Sequence, residues 1–300
     1  MGEQTEGMAG PELADRFEAQ RPRLRAVAYR TLGSFSEAED AVQEAWIRLS
    51  RTDVSEVENL AGWLTTVVAR VCLNMLRSRE QRREDPLDLR IPDPVISPES
   101  GVDPEHEALL TDAVGLALLV VLDSLKPAER LAFVLHDMFA VPFEEIAPLI
   151  DKTPAATRQL ASRARRRVRE GAPSPDPDLA RQREVVDAFF AAARDGRLDT
   201  LVSVLHPEVV LRADGAAGRH RRPVTFTGAA LVSSQAVTFG SLSPYARPAL
   251  INGTPGAVVI SPAGPLSVMS FTVHAGLITH ITVLTDPARL AALDLSAFAP

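Results

Sequence analysis

The chain is 300 residues long and 46% hydrophobic, enough for two or three domains that each bury a core. A formal charge of −7 and an isoelectric point near 5.5 exclude a binder that coats nucleic acid through overall charge, so contact with DNA must come from local basic patches. A single cysteine, Cys72, cannot form an internal disulfide, which reads as a cytoplasmic chain. The longest apolar run, Val114 to Leu122, is under half a membrane span, and the opening MGEQTEGMAG is acidic without an apolar stretch. Neither a membrane segment nor a secretion signal is therefore expected.

Taken in order, residues 12–83 form the first predicted domain, all helical. Between Leu60 and Arg83, Leu64, Val67, Val68, Val71 and Met75 fall on one apolar stripe, and Arg70, Asn74 and Arg77 share the opposite face. Residues 84–107 follow with prolines 86, 92, 94, 98 and 104, eight carboxylates and one arginine, Arg90. That composition predicts an extended acidic linker that does not fold alone.

Residues 108–170 are again predicted helical and hold the sharpest signal. A short helix, Phe143 to Ile150, meets the turn Asp151-Lys152. Thr153 is then a good N-cap and Pro154 fits the first helical position, so a new helix starts there. In it Thr157, Ala161, Ala164 and Val168 point inward, while Ala155, Arg158, Gln159, Ser162 and Arg165 project outward. Two helices across a tight turn, the second small and polar at its start, predict a helix-turn-helix. From Lys152 to Glu170 there are seven basic residues and one acidic residue, an asymmetry suited to phosphate binding. The bland alternative is a solvated basic helix on a bundle, and Pro148 disturbs the end of the first helix.

Residues 171–178, Gly-Ala-Pro-Ser-Pro-Asp-Pro-Asp, predict a short stiff spacer. Residues 179–300 change character. A helix from Leu179 to Asp195 carries the stripe Val186, Phe189, Phe190 and Ala193 and is ended by Gly196. Four β-rich runs follow: Ala246–Ile251, Ala257–Ile260, Ser267–His274 and Leu277–Leu284. Asn252-Gly253, Pro262-Ala263-Gly264-Pro265 and Ala275-Gly276 separate them. The expected fold is α+β with one curved antiparallel sheet.

Ordered motifs tie the first two domains to a family. Asp40-Ala41-Val42-Gln43-Glu44-Ala45-Trp46, Gly62-Trp63-Leu64, Ala69-Arg70 and Asn74-Met75-Leu76-Arg77 resemble region 2 of the extracytoplasmic-function sigma factors. Pro127-Ala128-Glu129-Arg130, Glu144-Glu145-Ile146-Ala147 and Ser162-Arg163-Ala164-Arg165 resemble their region 4. The resemblance covers residues 12–170. The third domain resembles the SnoaL-like cone that one subgroup carries. Asp214-Gly215-Ala216-Ala217-Gly218 and Asp286-Pro287-Ala288-Arg289-Leu290 stand where that subgroup has Asp-Gly-Gly-Gly and Asn-Pro-Asp-Lys-Leu motifs, both in degenerate form.

The resemblance implies roles. Asp40, Gln43 and Glu44 would dock on the β′ clamp of core RNA polymerase, with the β flap a second contact. Trp63, Arg70, Asn74 and Arg77 would meet the −10 element, and the loop from Arg51 to Asn59 would hold a flipped base. Thr153, Ala155, Arg158, Gln159, Ser162, Arg165 and Arg166 would read the −35 element in the major groove. The acidic linker would thread cationic channels of the polymerase. Asp214, Gly215, Gly218, Asp286, Pro287, Arg289 and Leu290 would form interdomain surfaces through which the cone regulates in cis, with no separate anti-sigma protein required.

Two other readings stay open at this point. A one-component regulator would join the helix-turn-helix to a ligand-binding cone without polymerase docking. A SnoaL-like enzyme would draw on His206, Asp214, His220, His274 or His280. No metal-ligand spacing, nucleophile motif or phosphate-cradling glycine loop is evident, so neither metal nor cofactor is expected.

Overall fold

A computed structural model describes residues 10–52, 57–82, 91–99, 115–172, 174–215 and 223–298. The chain divides into two compact units, Met1–Glu84 with Leu122–Arg166, and Asp85–Val121 with Arg167–Pro300.

The first unit begins with helices α1 (Gly10–Leu32), α2 (Phe35–Leu49) and α3 (Leu60–Arg82), each packed on the other two. Leu24, Val27 and Leu32 of α1, Ala41, Val42 and Ala45 of α2, and Leu64, Val68 and Leu73 of α3 are all buried and form the bundle core. Burial pushes the Cys72 thiol up to about 12, so it is a packing residue and not a reactive one. Arg79 pairs with Glu37 and donates from Nη1 to the Leu32 carbonyl at 3.0 Å, joining all three helices near one end.

After α4 (Leu116–Asp123), α5 (Pro127–Phe133) runs into a π-helical turn, Val134–Met138. Arg130 is buried and held by Asp123 at 2.8 Å. The predicted helix from Phe143 to Ile150 is in fact α6 (Phe143–Ile146) followed by a 3-10 turn, Ala147–Leu149. Pro148 is accommodated because the tighter turn does not need its missing N–H. Helix α7 (Pro154–Gly171) completes the helix-turn-helix, buried through Thr157, Ala161 and Ala164.

The second unit is α+β. Helices α8 (Leu179–Arg194) and α9 (Leu198–Val204) lead into β2 (Leu205–Ala213) and β3 (Val224–Thr227). Helix α10 (Ala229–Thr238) precedes β4 (Ala246–Ile251), β5 (Thr254–Ser261), β6 (Gly264–His274) and β7 (Leu277–Leu284), and α11 (Pro287–Ala291) comes last. Strand β1 (Ile96–Ser97) joins them, giving the order β1-β4-β5-β6-β7-β2-β3. The turns at Asn252-Gly253 and Ala275-Gly276 have positive φ at both residues, between 51° and 77°, the geometry that closes a two-residue hairpin without splaying its strands. Val186, Phe189 and Ala193 of α8 pack on Leu211, Phe271, Val273 and Ile281 of the sheet. Phe189, Phe190 and Phe271 meet edge to face at 5.3–5.7 Å and fill that interior.

One expectation is corrected, and the two linkers gain contacts that their composition does not predict. The sheet is mixed, since β2 runs parallel to β7; α10 and the intervening strands supply the long crossover that a parallel pair requires. The acidic linker is not free in its described part: Ile91, Val95 and Ser97 are buried, and β1 pairs antiparallel with β4. The edge of an existing sheet satisfies its backbone, which the linker's own composition cannot do. The spacer is likewise tied down at Asp176. Asp176 donates its N–H to the Val273 carbonyl at 2.8 Å, and its carboxylate accepts from Ala275 N and Gly276 N at 2.8 Å each. Those amides, with Gly276 first, hold its pKa below the usual value.

Candidate nucleic-acid interface

Burial on most sides of α3 leaves a narrow polar strip. Arg70, Asn74 and Arg77 are all exposed, at i, i+4 and i+7, so they share a face. Trp63 is half-buried beside the start of the helix, where Asn59 Oδ1 caps the N–H of Gly62 at 2.9 Å. Of the loop from Arg51 to Asn59, residues 53–56 lie outside the described set. On α2, Asp40 and Gln43 are exposed, and half-buried Glu44 pairs with Arg48 at 2.8 Å. These three residues also share one face, opposite Ala38, Ala41, Val42 and Ala45, which turn inward.

In the helix-turn-helix the Thr153 hydroxyl accepts from Ala156 N at 3.2 Å, as an N-cap should. Asp151 takes a positive φ of 56° to make the turn. Ala155, Arg158, Gln159, Ser162 and Arg166 are exposed, presenting a basic, small-residue surface. Arg165 differs: it is only partly exposed, and its Nε donates to Asp137 Oδ1 at 2.5 Å. Arg158 also has a neighbour, its guanidinium 5.3 Å from the centre of the Phe143 ring. Both arginines are placed by residues outside α7 that the sequence pattern does not reveal, because the contacts cross a turn. The first module and residues 122–166 of the second belong to one compact unit, in which Arg77 of α3 lies 3.8 Å from Asp151 and the Arg30 guanidinium 4.9 Å from the Phe139 ring.

In the second unit the two degenerate motifs come together. The Asp214 carboxylate accepts from Thr285 N, Thr285 Oγ1 and Asp286 N. Asp286 in turn caps α11 by accepting from Arg289 N at 3.0 Å. Arg289 Nη2 reaches Asp93 of the linker at 2.6 Å. Gly215 follows Asp214 with φ 72°, Pro287 opens α11 and is exposed, and Gly218 lies outside the described residues. Leu290, expected on a surface, is instead 2% exposed and packs as core. On the far side of β1, Glu99 pairs with Arg183 of α8, whose guanidinium also donates to the carbonyls of Ala249 and Gly256. Asn252 completes the grip, donating N–H to the Val95 carbonyl at 2.8 Å and accepting from Val95 N at 3.1 Å.

Several of the groups a cone enzyme would need are held in other contacts. His274 Nδ1 bonds the Ser174 carbonyl at 2.9 Å, and Asp214 is committed to Thr285 and Asp286. Burial, reinforced by Arg212, drops the His280 pKa to about 4, so its imidazole is neutral. His220 lies outside the described residues. Among the described residues no three potential metal ligands cluster, and no helix is long and apolar enough to cross a membrane.

Comparison with known proteins settles the family. Residues 16–83 match the model for sigma-70 region 2, and residues 115–168 the model for sigma-70 region 4. The ECF RNA polymerase sigma factor SigJ of Mycobacterium tuberculosis is 41% identical over 278 residues, 89% of this chain and 86% of that one. The chain belongs to the ECF sigma factors. The probable ECF sigma factor SigI of the same organism is 36% identical over 280 residues, covering 91% of this chain and 93% of SigI. The crystal structure of SigJ superimposes with a TM-score of 0.77 at 34% identity, over 94% of this chain and 99% of that one. As a sigma factor this protein binds core RNA polymerase and promoter DNA and directs transcription initiation; it is not an enzyme.

Proposed function

We propose that the sigma factor is controlled in cis by its own SnoaL-like cone, which holds the linker between the two promoter-reading modules, so that no separate anti-sigma protein is required. The observation that carries this reading is the addition of linker strand β1 to the cone sheet, flanked by the ion pairs Asp93–Arg289 and Glu99–Arg183. A segment bound as a sheet edge cannot at the same time thread a cationic polymerase channel, and two of its carboxylates, Asp93 and Glu99, are paired with arginines where it sits.

In this reading the domains are residues 12–83, 108–170 and 179–300, joined by linkers 84–107 and 171–178. Asp40, Gln43 and Glu44 dock on the β′ clamp. Trp63, Arg70, Asn74 and Arg77 meet the −10 element. The face of α7 from Thr153 to Arg166 reads the −35 element. Length gives independent support. The two elements lie about 25 base pairs apart, about 85 Å of duplex, whereas a folded unit of about 130 residues has a radius of gyration of about 14 Å. The modules must therefore part to engage both elements, and anything that restrains the linker biases that opening.

Two truncations test the proposal by transcription in vitro with core polymerase. A chain ending near Thr285 loses Asp286 and Arg289, and with them the clip on Asp93; its transcription should rise. A chain ending near Glu170 loses that hold together with the cone body, which in this reading also helps the two modules seat on polymerase and outweighs the released linker; its transcription should fall. Transcription equal to the full-length protein in both would remove the cone from control.

A further inference from the structure

The π-helical turn Val134–Met138 places two consecutive side chains toward the arginines of α7. Such turns are rare and concentrate at functional sites, where the extra residue redirects side chains. His136 stacks on Phe143 with ring centres 3.8 Å apart, and its Nδ1 bonds the Val141 carbonyl at 3.0 Å, fixing the ring against which Arg158 rests. Asp137 takes Arg165 directly, by its Nε.

The atom used matters. A guanidinium carries five N–H donors in a rigid fork, and occupying Nε leaves the Nη1/Nη2 end free for paired acceptors. No second partner for Arg165 is present among the described residues. The N7 and O6 atoms of guanine accept such an end-on pair in the major groove. A lone, flexible arginine would as readily settle on a phosphate, which any sequence supplies. A carboxylate beside it repels phosphate and halts that drift. With side-chain exposures of 22% for Asp137 and 36% for Arg165, the pair is shielded enough to persist and open enough to meet DNA.

We propose that Asp137 is a specificity-determining positioning residue for −35 recognition. It holds Arg165 by Nε so that the free end meets a guanine edge, and its charge suppresses loose phosphate binding. The proposal rests on α7 being the −35 reader, and the test separates the two.

Full-length protein and its D137N, D137E, R165A and D137N/R165A variants would be titrated, across a salt series, with a duplex from a promoter it transcribes and with a scrambled duplex. Removing the carboxylate frees Arg165 as a phosphate ligand. D137N should therefore bind the scrambled duplex several-fold tighter at low salt, with a log–log salt slope steeper by about 0.9, one further phosphate. Its preference for the promoter duplex should fall about fivefold or more, the loss of one oriented base contact. D137E should restore part of that preference, and in the R165A background D137N should have no effect. Unchanged preference and slope in D137N, with R165A still weakening promoter binding, would overturn the role of Asp137 while leaving α7 as the reader. If R165A also binds the promoter like the parent, Arg165 is no reader and the proposal falls with it. A D137N melting temperature that drops, restored by D137E without recovery of preference, would make Asp137 structural and likewise overturn it.

Discussion

Helices α3 and α7 both expose arginines, yet they are anchored differently. Helix α3 is wrapped by its bundle: Leu64, Val68, Ala69, Cys72, Leu73 and Leu76 are all buried, and its polar strip is what remains. Helix α7, 18 residues long, buries only Thr157, Ala161 and Ala164, none of them large. Two of its arginines are held one by one, through Phe143 and Asp137. Where a helix is fixed by bulk on several sides, bare exposed residues are already aimed. Where it rests on small side chains, its arginines need individual support.

The comparison can be broken at several points, and the largest effect belongs to α3. Leu73→Ala removes a fully buried side chain and should cost about 2–5 kcal/mol, seen as a lower melting temperature. Ala161→Leu pushes bulk under α7 and should cost about 1–3 kcal/mol. A larger loss there than at Leu73 would mean that α7 is the more tightly packed helix. Arg158→Ala and Arg165→Ala should each weaken promoter binding by about 1–3 kcal/mol at moderate salt while the melting temperature holds. Unchanged affinity in both would remove α7 from promoter reading. Smallest in stability is the pair Gln43→Ala and Glu44→Ala on the outer face of α2, within about 0.5 kcal/mol of the parent. Their effect should appear as reduced pull-down of core polymerase; loss of DNA binding alone would mean the role is misassigned.

Legibility in the sequence follows the range of the interaction. Strands β4 and β7 have the bounds that alternation and the Asn252-Gly253 and Ala275-Gly276 turns predict, because a hairpin is specified within a few residues. The start of α7 is equally readable from Thr153 and Pro154. Strand β2 is hidden because Pro207 interrupts it near its start and its parallel partner lies some seventy residues on, beside Ile278–Val283. Strand β1 is hidden because Pro94, Pro98 and the surrounding carboxylates describe a tether, and only β4 makes a strand of it. The clips Asp137–Arg165 and Asp93–Arg289 span 28 and 196 residues, so composition and spacing carry no trace of them.

Strand β1 also bears on solubility. A sheet edge is a row of unpaired donors and acceptors that invites pairing with another chain. Along β4 the middle of that edge is blunted by Arg247, whose charge resists stacking, and by Pro248, which has no N–H to offer. Leu250 and Ile251 at its end have neither protection, and they are the residues that Ser97 and Ile96 cover. If the linker leaves the sheet as proposed, a short apolar strand end is laid bare. A chain activated but not yet seated on polymerase should self-associate. Val95→Pro imitates that state, because proline lacks the N–H that Val95 gives to Asn252 Oδ1 and so loosens β1. Its sedimentation should depend on concentration more steeply than that of the parent, and equal behaviour would mean that the bared edge is harmless. Under the proposed control, activation would carry its own time limit: the freed sigma factor would find polymerase, take its linker back, or meet another copy of itself.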